Sequence, residues 1–282
     1  MNKKLMMMLV AMLTALIVAA CGTGSDDKNA SSEGGEEGKK VLKVGMEAGY
    51  APFNWTQQTD ANGAVKISGS AEYAGGYDVQ IAKKIADELG LELEIVKTEW
   101  DGLVPALQSG VVDAIIAGMS PTEERKQSID FTSNYYTSDF VIVVKKGSPY
   151  ENAKTLAEFS GAKITSQLNT SNYLVIDQIP GVKKEVAMDN FPAMRIAVQS
   201  GVIDGYVAER PEAISAAMAN ENFAYAELED GFETDPGATD VAIGVRKGYE
   251  LTEKMNEVLA SISEDDRQKL MEEAIANQPA AE

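Results

Sequence analysis

The chain has 282 residues, with 25 Lys plus Arg against 44 Asp plus Glu, no His, one Cys and a formal charge of −19. Without imidazole there is no Ser-His-Asp or Cys-His nucleophile and no His-built zinc site, and a lone Cys excludes intrachain disulfides and cysteine-rich metal clusters. The acidic surplus, with no basic stripe, excludes a nucleic-acid footprint, and 44% hydrophobic residues predict a sizeable core, at a length that suits two lobes of roughly 100 to 150 residues.

Lys3 and Lys4 precede an apolar run from Leu5 to Ala20, and Cys21 follows Val18-Ala19-Ala20 directly. The run is shorter than the ~20 residues a membrane-spanning helix needs, so residues 1–20 read as a secretory signal rather than an anchor helix. The residues before the only Cys resemble the lipobox of bacterial lipoproteins. That resemblance implies cleavage before Cys21 and lipid on its thiol, several acyl chains being what stable anchoring takes. Residues 21–40 are Gly, Ser and charge without periodicity, a flexible tether. The folded part is expected from Val41.

From there strand and helix signals alternate. Leu42, Val44 and Met46 alternate with polar or small residues as a strand, and so do Leu91, Leu93 and Ile95. Between them Val79, Ala82, Ile85, Ala86 and Leu89 share one helix face that Gly90 ends, which makes a βαβ unit. Residues 56–76, rich in Gly, Asn, Ser and Thr, read as a loop or ragged hairpin. Gln108-Ser109-Gly110-Val111-Val112-Asp113-Ala114 then recurs as Gln199-Ser200-Gly201-Val202-Ile203-Asp204-Gly205. Each copy ends a helix at Ser-Gly and enters a short apolar strand, so the two halves read as similar α/β lobes. Ligands of open parallel sheets gather beyond the carboxyl ends of the strands. This places Gly118 to Thr122 from one copy, and Glu209 and Arg210 from the other, at one cleft.

Ser120-Pro121-Thr122-Glu123 reads as a capping box with Ser120 as N-cap, starting a helix whose free amides and positive dipole end suit a carboxylate. Arg125 is close enough to add a bidentate fork to the same anion, although on spacing alone it reads equally as a surface Arg paired with a neighbouring Glu. Thr137 to Lys145 and Asp240 to Arg246 lie outside the βαβ alternation as candidate crossings between lobes. The last segment, with Leu251, Met255, Val258, Leu259, Ile262, Leu270, Met271 and Ile275 at helical spacing, is expected to pack on the first lobe.

Gly49-Tyr50-Ala51-Pro52-Phe53, Gly76-Tyr77-Asp78-Val79, Trp100-Asp101-Gly102-Leu103, Gly118 through Arg125 and Ile129-Asp130-Phe131-Thr132 resemble, in order and spacing, the solute-binding proteins for polar amino acids that serve ABC importers. The resemblance runs from Val41 to the C-terminus and weakens in the second lobe. It implies a two-lobed, type II periplasmic-binding-protein-like α/β fold with the ligand cleft between the lobes, residues 41–137 plus 240–282 forming lobe 1 and 138–239 lobe 2. It also implies that Arg125 and the Ser120 amide hold the α-carboxylate of a free L-amino acid, that Thr170 and Ser171 complete this clamp, and that Glu209, the Gly118 carbonyl and the Ser120 hydroxyl take the α-ammonium. Asn169 stands where the family usually has Gly, and Glu209 where it usually has Asp. Tyr50 and Trp100 match the flat pair that sandwiches the ligand side chain, and Glu47 a position that is acidic in binders of cationic amino acids.

Plainer readings exist for each: core aromatics for Tyr50 and Trp100, an exposed strand-end Glu47, an ion pair with Arg210 for Glu209. Together Glu47, Tyr50 and Trp100 favour arginine, lysine, ornithine or histidine, with glutamine, cystine or another polar amino acid as alternatives. The expected chain is a lipid-anchored extracytoplasmic monomer with an ABC permease as partner, no cofactor, no metal and no enzymatic activity. A competing enzyme reading, similar to cyclohexadienyl dehydratase with Glu47 or Glu209 as acid, sits poorly with the amino-acid clamp. A receptor sensor domain would need a second hydrophobic span.

Overall fold

The structure, a computed structural model, describes residues 40–279. The predicted signal, Cys21 and all of the tether but Lys40 lie outside the described residues. β1 (Val41–Met46) buries Leu42, Val44 and Met46 as its alternation requires. Then β2 (Gly49–Tyr50), β3 (Asn54–Gln57), β4 (Val65–Lys66) and β5 (Tyr73–Gly75) form an antiparallel sheet in the order β2-β3-β5-β4. Residues 56–76, expected as a loop or ragged hairpin, are loop interrupted by short strands, β4 and the end of β3 both pairing antiparallel with β5.

α1 (Tyr77–Glu88) buries Val79, Ala82, Ile85 and Ala86, and β6 (Glu92–Lys97) returns parallel to β1 with Val44 opposite Ile95, the predicted βαβ unit. α2 (Leu103–Ser109), β7 (Ala114–Ile115), α3 (Glu123–Ser128) and β8 (Asp130–Thr137) follow. Next come β9 (Phe140–Lys145), β10 (Lys163–Thr165), α4 (Ser171–Leu174), β11 (Lys183–Lys184), α5 (Phe191–Ser200), β12 (Gly205–Glu209), α6 (Arg210–Ala219) and β13 (Phe223–Ala226). The chain ends with β14 (Asp240–Val245), α7 (Thr252–Ser261) and α8 (Glu264–Asn277).

The two large sheets repeat one pattern. The first runs β6-β1-β7-β14-β8 and the second β11-β10-β12-β9-β13. In each, three parallel strands are followed by two joined antiparallel. The fourth strand comes from the chain that links the halves, β14 in one sheet and β9 in the other. The crossings themselves are short: β8 stops at Thr137, β9 starts at Phe140, and the Ser138 amide donates to the Thr239 carbonyl at 3.0 Å. Thr137–Lys145 and Asp240–Arg246 are thus mainly core strands, the links between sheets being only the residues at their ends.

The sequence repeat has a physical basis. Gly110 and Gly201 end α2 and α5 at φ 78° and 77°, a left-handed conformation that glycine takes without steric penalty. Asp113 then exchanges backbone and side-chain hydrogen bonds with Lys43 at the start of β1, and Asp204 does the same with Lys163 at the start of β10. Each Asp stitches its own strand to the parallel neighbour.

Alternate residues of β9 serve two cores. Phe140, Ile142 and Val144 pack with Ile164, Phe159 and Val207, while Val141 and Val143 join a larger cluster that includes Phe191, Tyr206 and the first lobe. Both faces of this strand are covered, which explains its continuous apolar run. The C-terminal segment is two helices, with Ser263 accepting the Asp266 amide as N-cap of α8. It packs on the first lobe as expected, and its end also reaches the second, where Gln278 donates to the Ser215 carbonyl at 3.1 Å.

Candidate functional site

The carboxyl ends of the parallel strands converge on one cleft. β7 leads to Gly118 and Ser120, β10 leads to Gln167, Thr170, Ser171 and Asn172, and β12 ends in Glu209. Tyr50, Trp100, Arg125 and Phe191 complete the lining, and the space left between them is about 10 Å³, near the size of one water. An amino acid enters only if the contacts across the cleft part.

Arg125 lies in the first turn of α3. Its Nη1 donates to the Ser120 carbonyl and its Nη2 to the Asn169 carbonyl of the opposite lobe, both at 2.8 Å, and its guanidinium lies 5.0 Å from the Trp100 ring centroid. Burial lowers its pKa to about 10, which leaves it charged at neutral pH. It is not paired with a neighbouring Glu, since Glu123 takes Lys126 instead. The N-cap of α3 is Thr122, whose Oγ1 accepts the Arg125 amide at 3.3 Å, and not Ser120. The capping box is therefore corrected: Ser120 is drawn away by the Ala238 carbonyl, to which its hydroxyl donates at 2.9 Å.

Asn169 adopts φ 55°, the conformation a Gly would supply, and its Nδ2 donates to Asp101 across the cleft at 2.9 Å. Asn is one of the few residues that enter this region at low cost. Thr170 caps α4, accepting the Tyr173 amide at 3.4 Å while donating to the Gln167 carbonyl at 2.6 Å. Ser171 is the first residue of that helix and faces the same space.

Glu209 is buried at the end of β12 and accepts hydrogen bonds from the Tyr50 hydroxyl and from Asn172 Nδ2. Burial raises its pKa above the usual carboxylate value, against the pull of these donors. Arg210, expected at the same cleft, is turned away from it: its guanidinium forks Asp139 at 2.8 and 2.6 Å and holds Glu227 at 2.8 Å. Those two carboxylates lie on its side of the strand end, and the Glu209–Arg210 pair does not form.

Glu47 is 7% exposed rather than an open strand-end carboxylate, and Gln167 Nε2 donates to it at 2.9 Å from the second lobe. Desolvation, with Glu99 and Asp101 nearby, raises its pKa to about 8. Tyr50 and Trp100 line the cavity without forming a facing pair. One face of Tyr50 stacks on Phe191 at 4.4 Å and the other on Phe53 at 4.9 Å, while Trp100 carries Arg125. At this lobe separation Tyr50 is stacked on two protein rings and Trp100 carries a guanidinium of the protein itself.

Gln167, Asn172 and Phe191 are additions from the structure. The rule that placed Gly118 and Glu209 beyond strand ends, applied to β10 as well, would have reached the first two. Phe191 gives no such signal, since it reads as an ordinary core aromatic at the start of a helix.

The profile of the bacterial extracellular solute-binding proteins, family 3, matches residues 42–276. The chain is 29% identical over 277 residues to the arginine-binding extracellular protein ArtP of Bacillus subtilis, covering 93% of this chain and 94% of that one. It is also 29% identical over 274 residues to the L-cystine-binding protein TcyA of the same organism, covering 93% of each. Among solved structures, an amino acid ABC transporter substrate-binding protein from Streptococcus pneumoniae bound to L-arginine superposes with a TM-score of 0.74 at 29% identity, covering 84% of this chain and 94% of that one. Two matched sheets, a cleft at their strand ends and a profile that spans nearly the whole described region lead to one assignment: the chain belongs to the bacterial extracellular solute-binding proteins, family 3.

Proposed function

We propose that the protein captures a free cationic amino acid by hinge closure and delivers it to an ABC importer. The observation that carries this reading is the charge set of the cleft. Arg125 is the one cation and Glu209 the one carboxylate among the lining residues, while Glu47 lines a neighbouring pocket and meets the cleft through its hydrogen bond with Gln167. An α-carboxylate on Arg125 and an α-ammonium on Glu209 would balance one pair and leave Glu47 for a second positive group. Burial raises the pKa of both carboxylates, and a cation brought against either would favour its ionised form. Relatives that are named for arginine support the choice.

In this reading Arg125 forks the α-carboxylate with the Ser120 amide, Thr170 and Ser171. Glu209, with the Gly118 carbonyl and the Ser120 hydroxyl, takes the ammonium. Tyr50 and Trp100 flank the side chain, and Glu47 receives its cationic end. The lobes are residues 41–137 plus 240–282 and residues 138–239, turning about the links at Ser138–Asp139 and Thr239. Sequestering the charges between the lobes gives specificity, because each buried charge must find a partner. The chain acts as a monomer without enzymatic activity, held at the outer face of the membrane by lipid on Cys21.

A neutral polar ligand such as glutamine is the second reading, favoured by the Glu47–Gln167 contact, since a protonated Glu47 can donate to an amide. Calorimetric titration of the purified protein with L-arginine, L-lysine, L-histidine, L-glutamine and L-cystine decides. Tightest binding by a cationic member is expected. Tightest binding by glutamine or cystine overturns the cationic preference, and binding of none overturns the site.

A further inference from the structure

The Gly76-Tyr77-Asp78-Val79 segment has no role in the ligand contacts above, yet Asp78 is a fully buried carboxylate in the first lobe. Its Oδ2 accepts from Asn54 Nδ2 at 2.8 Å and its Oδ1 from the Tyr135 hydroxyl at 2.7 Å, with the Gly118 amide also turned on it. Tyr135, equally buried, places its hydroxyl oxygen 3.4 Å from the Gly118 nitrogen. It is held in turn by the Tyr77 hydroxyl, which donates to its carbonyl at 2.8 Å. No ion pair partners Asp78 among the described residues. Enclosing such a carboxylate is unfavourable unless its donors are well placed, and burial raises its pKa to about 6.

The residue these two groups hold is the one that lines the cavity. Gly118 sits at φ 63°, and a Cβ there would come within 2.6 Å of Tyr50 Cε1. The chain is fixed on its other side as well, where the Met119 carbonyl accepts the Ala242 amide at 3.1 Å. With the Gly118 nitrogen held on one side and the Met119 carbonyl on the other, the two anchors together limit how the intervening Gly118 carbonyl can turn.

We propose that Asp78 and Tyr135 are positioning residues for the ligand's α-ammonium group, acting through the Gly118 backbone. This rests on the amino-acid site described above. A role confined to core stability would leave the folded protein's affinities unchanged or change them alike for every ligand. A positioning role acts on the ammonium alone.

The test is titration of wild type and Tyr135→Phe with two ligand pairs that differ only in the α-ammonium: L-arginine with 5-guanidinopentanoate, and L-glutamine with glutaramate, affinities being followed into the millimolar range. Tyr135→Phe keeps the ring and removes only the hydroxyl. It is expected to weaken the tighter of the two amino acids roughly five- to twentyfold and its deamino partner less than about twofold. Equal losses on both members of the pair, or no loss on the amino acid, overturn the proposal while leaving the site intact. A wild type that binds neither amino acid overturns the site and this inference with it. Asp78→Asn is expected to give a larger loss with the same selectivity. Should it not fold, Tyr135→Phe decides alone.

Discussion

The Tyr50 hydroxyl of the first lobe donates a hydrogen bond to the Glu209 carboxylate of the second, closing the cleft at the point where the α-ammonium is proposed to bind. The same carboxylate cannot keep this donor unchanged and also face an ammonium in a space of about 10 Å³. Tyr50→Phe retains the stacking on Phe191 and Phe53 and removes only the competing donor. Its affinity for L-arginine is expected to equal or exceed that of wild type, by up to about fivefold. A tenfold loss by calorimetry would show that the hydroxyl bonds the ligand rather than competing with it.

Arg125 spends its donors on two backbone carbonyls, Ser120 and Asn169, rather than on a carboxylate. An incoming α-carboxylate therefore meets a guanidinium that no anion has neutralised. Arg125→Ala should lower amino-acid affinity by about 2 to 5 kcal/mol, and Arg125→Lys should recover little of it, because an ammonium lacks the planar fork. Calorimetry reads the loss and circular dichroism the retained fold. Unchanged affinity in a folded Arg125→Ala protein would refute the clamp.

What the sequence made legible was local. The repeat at Gln108 and Gln199 could be read because its Gly residues end their helices where they stand, and both junctions form as expected, while the bonds of Asp113 to Lys43 and of Asp204 to Lys163 arise only in the fold. Ser120 misled because two hydroxyl residues, Ser120 and Thr122, stand two apart before the same helix, and the choice between them is made by Ala238, 118 residues away. Arg210 misled for a similar reason, its guanidinium being held by Asp139 and Glu227, which are 71 and 17 residues away in the chain. Gln167 and Phe191 reach the site only by folding, against Glu47 and Tyr50 respectively.

Asn169 tests whether the second-lobe loop needs its left-handed residue. At φ 55° a side chain without local polar contacts is strained by roughly 1 to 2 kcal/mol. Asn169→Gly should stay within about 0.5 kcal/mol of wild type, relief of strain offsetting the lost contact to Asp101. Asn169→Ala, which loses the contact and keeps the strain, should fall by about 1 to 2 kcal/mol in urea unfolding. Equal stabilities for the two variants would mean that the loop does not hold this conformation.

Glu47 makes the cleft responsive to pH, and the sign follows from its raised value. In the folded protein its pKa is near 8, against 4.5 for the solvated group, so the buried acid holds a proton that the unfolded chain has released. Its contribution is fully present below about 4.5, declines as pH rises and is lost by about 8, amounting to at most about 5 kcal/mol across that window. Glu47→Gln keeps an acceptor for Gln167 Nε2 while fixing the neutral form, so the variant should lose that part of the slope of thermal stability between pH 5 and 8 and be the more stable protein at pH 8. A cationic ligand inverts this relation, because a guanidinium favours the ionised carboxylate. From the closed arrangement, binding L-arginine at pH 7 should expel the Glu47 proton, seen as a dependence of calorimetric enthalpy on buffer ionisation enthalpy that Glu47→Gln abolishes. A buffer dependence that persists unchanged in the variant would place the proton elsewhere and remove Glu47 from the cation's pocket.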